Sequence, residues 1–343
     1  MVNLDATSKD GLRCLKVASV PITWNPGLSI YASEPYLKTV GDENGWLGGT
    51  DGSGNLRCVL PYTVVRKLGI RMIRFRVETI PLVQDFGIEE EKSFLHSAVA
   101  YFRSSGADVI VPASNNTIFR TYPEGAMAAP YGTYLIDLAQ PEETLWANLH
   151  PKHRNVVRHA MKHGVQIRRG VEHLDAAFAT IKGTLKRSSL GFMKYQAFKR
   201  LLLNLGENVQ LFTAEHQGAI QGCAVIPFST YGAYYVYGGS IPEPQTGAMN
   251  LLHWEAMRFF RRLGVKRYDF VGVRVNPEKG SKQEGLKMFK ERFGGNLVRG
   301  YMWKKSLSPL KYRVYSIAVR LLRGGDIVDV ERDKLDGSHL GFR

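Results

Sequence analysis

Residues 94–106 read FLHSAVAYFRSSG and residues 251–264 read LLHWEAMRFFRRLG. Both open on a Leu-His pair (Leu95-His96, Leu252-His253), carry an aromatic pair near the end (Tyr101-Phe102, Phe259-Phe260), and close on Arg and Gly. Each is followed by a strand-like run, ADVIVPA after the first and VKRYDFVGV after the second. With a one-residue gap allowed, these are two copies of one helix–strand unit. Upstream of each lies a matching hairpin. WLGGTDGSGNLRCVLPYTVV holds a strand, a Gly-rich turn and a strand with Cys58 and Pro61, and VQLFTAEHQGAIQGCAVIPF repeats the order with Cys223 and Pro227. Two amphipathic helices can match by chance; hairpin, helix and strand recurring in one order about 160 residues apart argue for a duplicated α/β domain.

The chain of 343 residues is long enough for two domains with separate cores. Its apolar content of 44% and charged content of 22% are those of an ordinary globular protein, but the net charge of +15 is not. Such an excess of cations points to polyanionic partners: nucleic acid, phosphorylated substrates or an anionic membrane surface. Three widely spaced cysteines, Cys14, Cys58 and Cys223, form neither a disulfide framework nor a zinc spacing. The start MVNLDATSKDG lacks the apolar stretch of a signal peptide, and no run approaches the length of a membrane span. The expected location is the cytoplasm, with contact at the inner face of the plasma membrane as a variant of it.

Several chemistries drop out on pattern. There is no G-x-S-x-G elbow and no Walker A loop. The turn GGTDGSGN leads into another strand rather than a helix, which makes it a surface turn and not a phosphate cradle. His150, His153, His159 and His163 crowd one segment, and His159 and His163 stand one turn apart; without carboxylate or cysteine partners, among Arg and Lys, they predict solvated or phosphate-facing imidazoles and no metal.

That segment, PEETLWANLHPKHRNVVRHAMKH over 141–163, reads as an acidic helix start and then a second helix opened by Pro151. Val156, Val157, Ala160 and Met161 form its expected buried stripe. Arg154, Arg158 and Lys162 fall at i, i+4, i+8, a basic ridge that is either a solvated face or a set of phosphate contacts. The segment SPLKYRVYSIAVRLLRGG predicts a helix capped by Ser308 and stopped by Gly324, with an apolar face of Leu310, Val314, Ile317, Ala318 and Leu321 that could meet anionic lipid or the protein's own core. The polar tail after Gly325 is expected to be poorly ordered. GLKMFKERFGG, residues 285–295, reads as a short helix with Leu286, Phe289 and Phe293 on one side and a Gly-Gly stop, and leaves open whether Lys290 is a surface cation or the charge around which a reaction is organised.

The run YYVYGGS, GAMNLLHWEAMRFFRRLGVKRYDFVGV and GLKMFKERFGG resembles the FemABX family, the Fem-type aminoacyltransferases that build peptidoglycan interpeptide bridges. The resemblance implies an α/β fold of two tandem acetyltransferase-like (GNAT-type) domains, each a mixed twisted sheet flanked by helices. It divides the chain into residues 1–140, completed by the helix 301–325; residues 141–300, with the Phe-Lys pair; and a polar tail, 326–343. It implies that Lys290 of the pair Phe289-Lys290 stabilises charge during acyl transfer, that Arg187 in TLKRSS and Lys38 in SEPYLKTVGD hold a substrate diphosphate, and that Arg154, Arg158 and Lys162 contact phosphates or tRNA. Asp269 is either a base or a structural strand residue. The implied partners are an aminoacyl-tRNA donor and a UDP- or lipid-linked muropeptide acceptor, with no cofactor and no metal. The long helical-hairpin insertion that some relatives carry is missing from this sequence. An acyl-CoA-dependent N-acyltransferase of envelope polysaccharide or lipid is the alternative; a non-catalytic RNA- or membrane-binding protein is the third.

Overall fold

The computed structural model describes residues 15–112 and 117–335. Cys14, the N-terminal stretch read for a signal and residues 336–343 of the tail lie outside the described residues. The chain divides into two compact units. One takes the residues up to Thr23, Val40–Tyr131 and the residues from Arg299 on; the other takes Trp24–Thr39 and Gly132–Val298. Both are mixed α/β, and the helix–strand unit read from the sequence occurs once in each, as Ile88–Ser104 before Val109–Ile110 and as Ala248–Arg262 before Arg267–Asp269.

In the first unit the strands lie in the order Lys16–Ser19, Glu43–Thr50, Leu56–Lys67, Ile70–Phe75 and Val109–Ile110, followed by the end of Asn296–Ser306. The pairings are antiparallel except for Ile70–Phe75 against Val109–Ile110, with Met72 opposite Val109 and Ile73 opposite Ile110. A parallel pair needs a crossover, and helix Ile88–Ser104 supplies it. Its buried face, Phe94, Leu95, Ala98 and Phe102, packs with Leu47, Cys58, Leu60 and Ile73. At the Gly-rich turn Asp51 Oδ1 accepts from the N–H of Ser53 (2.9 Å) and Asn55 (3.0 Å), so the turn is closed by its own carboxylate.

The C-terminal helix Pro309–Arg323 forms and stops at Gly324 as predicted, but the Ser308 side chain makes no cap bond and the helix docks by another side. Tyr312 and Tyr315 pack on Ile70, Met72, Val109 and Val111, and the Tyr312 hydroxyl reaches Met127 Sδ at 3.2 Å. Of the expected apolar face, Leu310, Val314, Ile317 and Leu321 point to solvent. The helix is apolar on two sides, and the rings cover more of the sheet than the aliphatic stripe could. The tail also departs from expectation, for Ile327–Leu335 is helical. Val328 enters a cluster with Ala129, Tyr131 and Met302, and the buried Lys304 ammonium donates to Asp326 (2.9 Å) and Asp329 (2.6 Å). A cation with 1% of its side chain exposed is tolerable only with such partners.

The second unit holds an antiparallel sheet in the order Tyr237–Ser240, Ala219–Pro227, Val209–His216, Gln166–Arg169. A shorter ladder pairs Ala233–Tyr234 in parallel with Tyr268 and Asp269, which face Ile136 and Leu135 on their other side. One extended run changes partner between the two. Tyr235 N–H still bonds Asp269 O (2.9 Å), whereas Val236 N–H bonds Val225 O (3.3 Å), and Tyr237–Ser240 then pairs with residues 222–225. A seam therefore opens at Tyr235 between the two ladders. Trp24–Thr39 joins this unit through Tyr31, whose ring lies 4.7 Å from that of Tyr234, and through Ser29 Oγ, 2.8 Å from the Tyr234 hydroxyl. The core centres on helix Ala248–Arg262, packed against helix Pro151–Lys162. In the latter, Val157 and Ala160 are buried as expected; Met161 is exposed and His153 takes its place in the core.

Candidate active site

Lys290 lies in the last turn of helix Lys282–Glu291. The start of this helix is fixed by its sequence: Ser281 Oγ accepts from Glu284 N–H (3.2 Å), and the Glu284 carboxylate reaches back to Gly280 N–H (2.6 Å). Gly294, at φ 80°, ends the turn beyond it; a Cβ there would stand 2.5 Å from Asn148 O. The helix is thus placed at both ends, and Phe289 packs on the core while Leu286 stays exposed.

The Lys290 ammonium donates to two successive carbonyls, Val271 and Gly272, the latter at 2.7 Å. Those carbonyls come from a turn just past the seam. Val271 has φ 51°, the left-handed region a β-branched residue avoids, and Gly272 has φ 24°. Asp269 holds the turn from the other side, its Oδ1 accepting from Val271 N–H (2.7 Å) and from Thr133 Oγ1. A strained conformation persists only where several contacts fix it, and here a carboxylate and an ammonium do so together. Asp269 is read structurally rather than as a base: its accepting oxygen is committed to the turn. Lys287 adds a third tie, to Val275 O at 3.1 Å.

Burial pulls the Lys290 pKa down to about 8, and the Asp269 carboxylate opposes that shift. For Asp269 burial pushes the carboxyl up, opposed by the Thr133 and Val271 bonds and by the charges of Arg267 and Lys290. With a pKa near 8, the lysine is about nine-tenths protonated at pH 7. Beneath it is an aromatic nest. His253, fully buried, shares a 2.8 Å hydrogen bond between Nδ1 and the Tyr268 hydroxyl, and its ring packs against Tyr235, Phe270, Phe289 and Phe293. Burial, then the nearby Lys290 charge, lowers its pKa to about 3. His153 packs on Phe289 and Phe293 and is lowered to about 4, first by burial and then by Arg292. Both imidazoles are neutral at working pH and leave the ammonium as the local charge.

The other candidates are placed as follows. Arg187 donates to Thr184 Oγ1 (3.0 Å) and to Ser240 O (2.5 Å), at the end of the strand beyond the seam. The next residue, Ser188, accepts from Lys282, the first residue of the Lys290 helix, so Arg187 is brought to the far end of that helix, about 12 Å along its axis from Lys290. Lys38 pairs with Glu34 (2.7 Å) on an exposed helix surface. The basic ridge has divided uses: Arg154 donates to Ala147 O and Leu149 O, closing the preceding helix end, and Arg158 lies 5.3 Å above the Trp146 ring. Lys162 is exposed. His159 and His163 stack at 3.9 Å. Sequence reasoning missed Thr133, Val271 and the two core histidines; the S-x-x-E pattern at Ser281–Glu284 was the available signal for where the helix begins.

Residues 151–284 match the acetyltransferase (GNAT) domain model. The chain is 38% identical over 72 residues to a lipid II:glycine glycyltransferase of Staphylococcus haemolyticus, a stretch covering 21% of this chain and 17% of that protein. To the protein of the same name in Staphylococcus saprophyticus it is 32% identical over 91 residues, 26% of this chain and 22% of that one. The chain thus spans about a fifth of the length of these curated relatives. It shares its fold with the crystal structure of FemX, at TM-score 0.64 and 16% identity over 87% of this chain and 99% of that one. The C-terminal DUF2156 domain from Agrobacterium fabrum follows at TM-score 0.52 and 12% identity, over 85% and 93%.

Proposed function

We propose that the chain is an aminoacyltransferase that moves an amino acid from aminoacyl-tRNA to an amine of a UDP- or lipid-linked peptidoglycan precursor, in the cytoplasm at the inner membrane face. The observation that carries this reading is the Lys290 ammonium, half-buried beside the seam with two of its three N–H bonds fixed on carbonyls. The third can meet a reacting oxygen without reorganisation.

The acceptor amine attacks the ester carbonyl carbon, whose oxygen becomes an oxyanion. Lys290 stabilises that charge, worth about 3 kcal/mol of barrier for one such donor. The ester C–O bond then breaks, an amide forms, and the proton lost by the amine ends on the released ribose oxygen. Phe289, packed on His153 and His253, fixes the helix that aims the ammonium. Arg187 and Lys38 bind the acceptor diphosphate, and Arg158 and Lys162 contact donor phosphates, with Arg154 from the same ridge closing the end of the preceding helix. The glycyltransferase names of the matched relatives support the reading.

The test is transfer of labelled amino acid from charged tRNA to UDP-linked muropeptide. Product that disappears in Lys290→Met supports it; absence of product with every charged tRNA, and product with acyl-CoA instead, would transfer the same site to an N-acyltransferase, the reading favoured by the acetyltransferase description of the matching model.

A further inference from the structure

Among the described residues, helix Pro309–Arg323 packs by only one of its two apolar sides. Opposite the docked tyrosines stand Leu310 (82% exposed), Val314 (59%), Ile317 (52%) and Leu321 (81%). Their spacing of four, three and four residues places them within about 60° of one another around the helix. The surface continues sideways. Val314, Leu322 and Leu68 rim a cavity of about 290 Å³ floored by Met72 and Tyr315, and Leu68 stands at the tip of the hairpin turn, 82% exposed. Single exposed leucines are ordinary; a contiguous run of this size marks a docking surface.

The charges flanking the stripe are mostly basic; the nearby carboxylates are paired, Asp326 of the cavity wall with Lys304 and Glu43 with Arg66. Arg313 and Arg320 flank the stripe on one edge, and exposed Arg66 and Lys67 stand beside Leu68 on the other. The helix PLKYRVYSIAVRLLR contains no carboxylate. We propose that this face docks on an anionic lipid bilayer, with the leucines in the acyl boundary and the Arg and Lys side chains at headgroup level. The four-three-four spacing also suits pairing with a second copy, but that would line arginines along the seam with no acidic partner on the helix to offset them. The proposal rests on the preceding reading in the case of a lipid-linked acceptor, and deepens it by naming the surface that meets the lipid.

The experiment is co-sedimentation of the full chain with phosphatidylcholine vesicles, with and without about 30% phosphatidylglycerol. The expected result is partition at least about tenfold higher onto the anionic vesicles, lost about tenfold in Leu310→Ser/Leu321→Ser and in Arg313→Glu/Arg320→Glu. The changed residues are exposed, so unaltered thermal midpoints confirm folding. As a second readout, the indole introduced by Ile317→Trp shifts to the blue on anionic vesicles and is quenched by lipid brominated in its acyl chains. Equal partition of the native chain and the serine variant overturns the proposal. So does a dimer that the serine variant dissolves while the native chain ignores vesicles. Binding is read without donor or acceptor, so it can fail while transfer to a soluble UDP-linked acceptor succeeds, and the reverse.

Discussion

The two copies of the helix–strand unit keep the same packing frame and differ in what they bury. Leu95 and Leu252 are core residues, Phe102 and Phe260 are core residues, and Gly106 and Gly264 end the two helices at φ 77° and 72°. The histidines beside the leucines part company: His96 faces solvent, and His253 is fully buried. The strands differ as well. In both copies a strand before the helix pairs in parallel with the strand after it over two residues. In the first, Ile70–Phe75 also stays on its other neighbour along its whole length, whereas in the second the run leaves the ladder at Tyr235 and Val236 bonds Val225 instead. The buried histidine, the open seam and Lys290 occur together in the second copy. One helical frame can therefore be a closed scaffold or the wall of a candidate site, depending on where a single strand changes partner.

The comparison can be broken most sharply at Lys290. Lys290→Met should lower transfer by about 10²–10³-fold while circular dichroism stays native, because the missing charge acts on the oxyanion; a loss of tenfold or less would reduce the lysine to a tie on the Val271 turn. Next are the glycines that precede the two helices. Gly247 has φ 82°, and a Cβ there would stand 2.0 Å from Val156 O, whereas nothing lies near Gly87. Gly247→Ala should cost about 3 kcal/mol in denaturant unfolding and Gly87→Ala less than about 1. The histidines come third: His253→Ala should cost about 2 kcal/mol, since it opens a cavity among aromatic rings, and His96→Ala should stay within about 0.5. Equal costs would mean that the burial difference carries no energy. The smallest effect is the pH profile. Burial holds the Lys290 pKa at about 8, below its unfolded value, so the active ammonium is present below that pH and transfer should be halved near pH 8 and fall tenfold per unit above it. A rate flat to pH 10 would exclude Lys290 as the required cation.

Much of this frame was legible. The helices around Leu95 and Leu252, their glycine stops and the hairpins with Cys58 and Cys223 follow from periodicity and turn chemistry, which are local. What escaped depended on neighbours distant in sequence. Whether a Leu-His pair buries its imidazole is decided by Phe289, from a later helix, and Phe293, from the turn that follows that helix. The stripe Leu310–Leu321 and the ring side Tyr312–Tyr315 are both apolar, and only the sheet selects between them. Asp269 could be named as a strand aspartate, but its work on Thr133 and Val271 required the turn to be seen. Arg154 illustrates the same limit: its place on a basic ridge is periodic, while its bonds to Ala147 and Leu149 belong to the preceding helix.

Cys58 and Cys223 sit at matching places on the two hairpins, one in each unit, and neither is exposed. Burial pushes both thiols up, Cys223 to about 12, so neither carries appreciable thiolate in the native state. Each becomes reactive to alkylation only when its own hairpin opens. With Cys14 replaced by Ser, the chain carries a built-in pair of clocks. The two labelling rates would show whether the halves come apart as one cooperative body or in succession, and which of them a bound donor or acceptor steadies first.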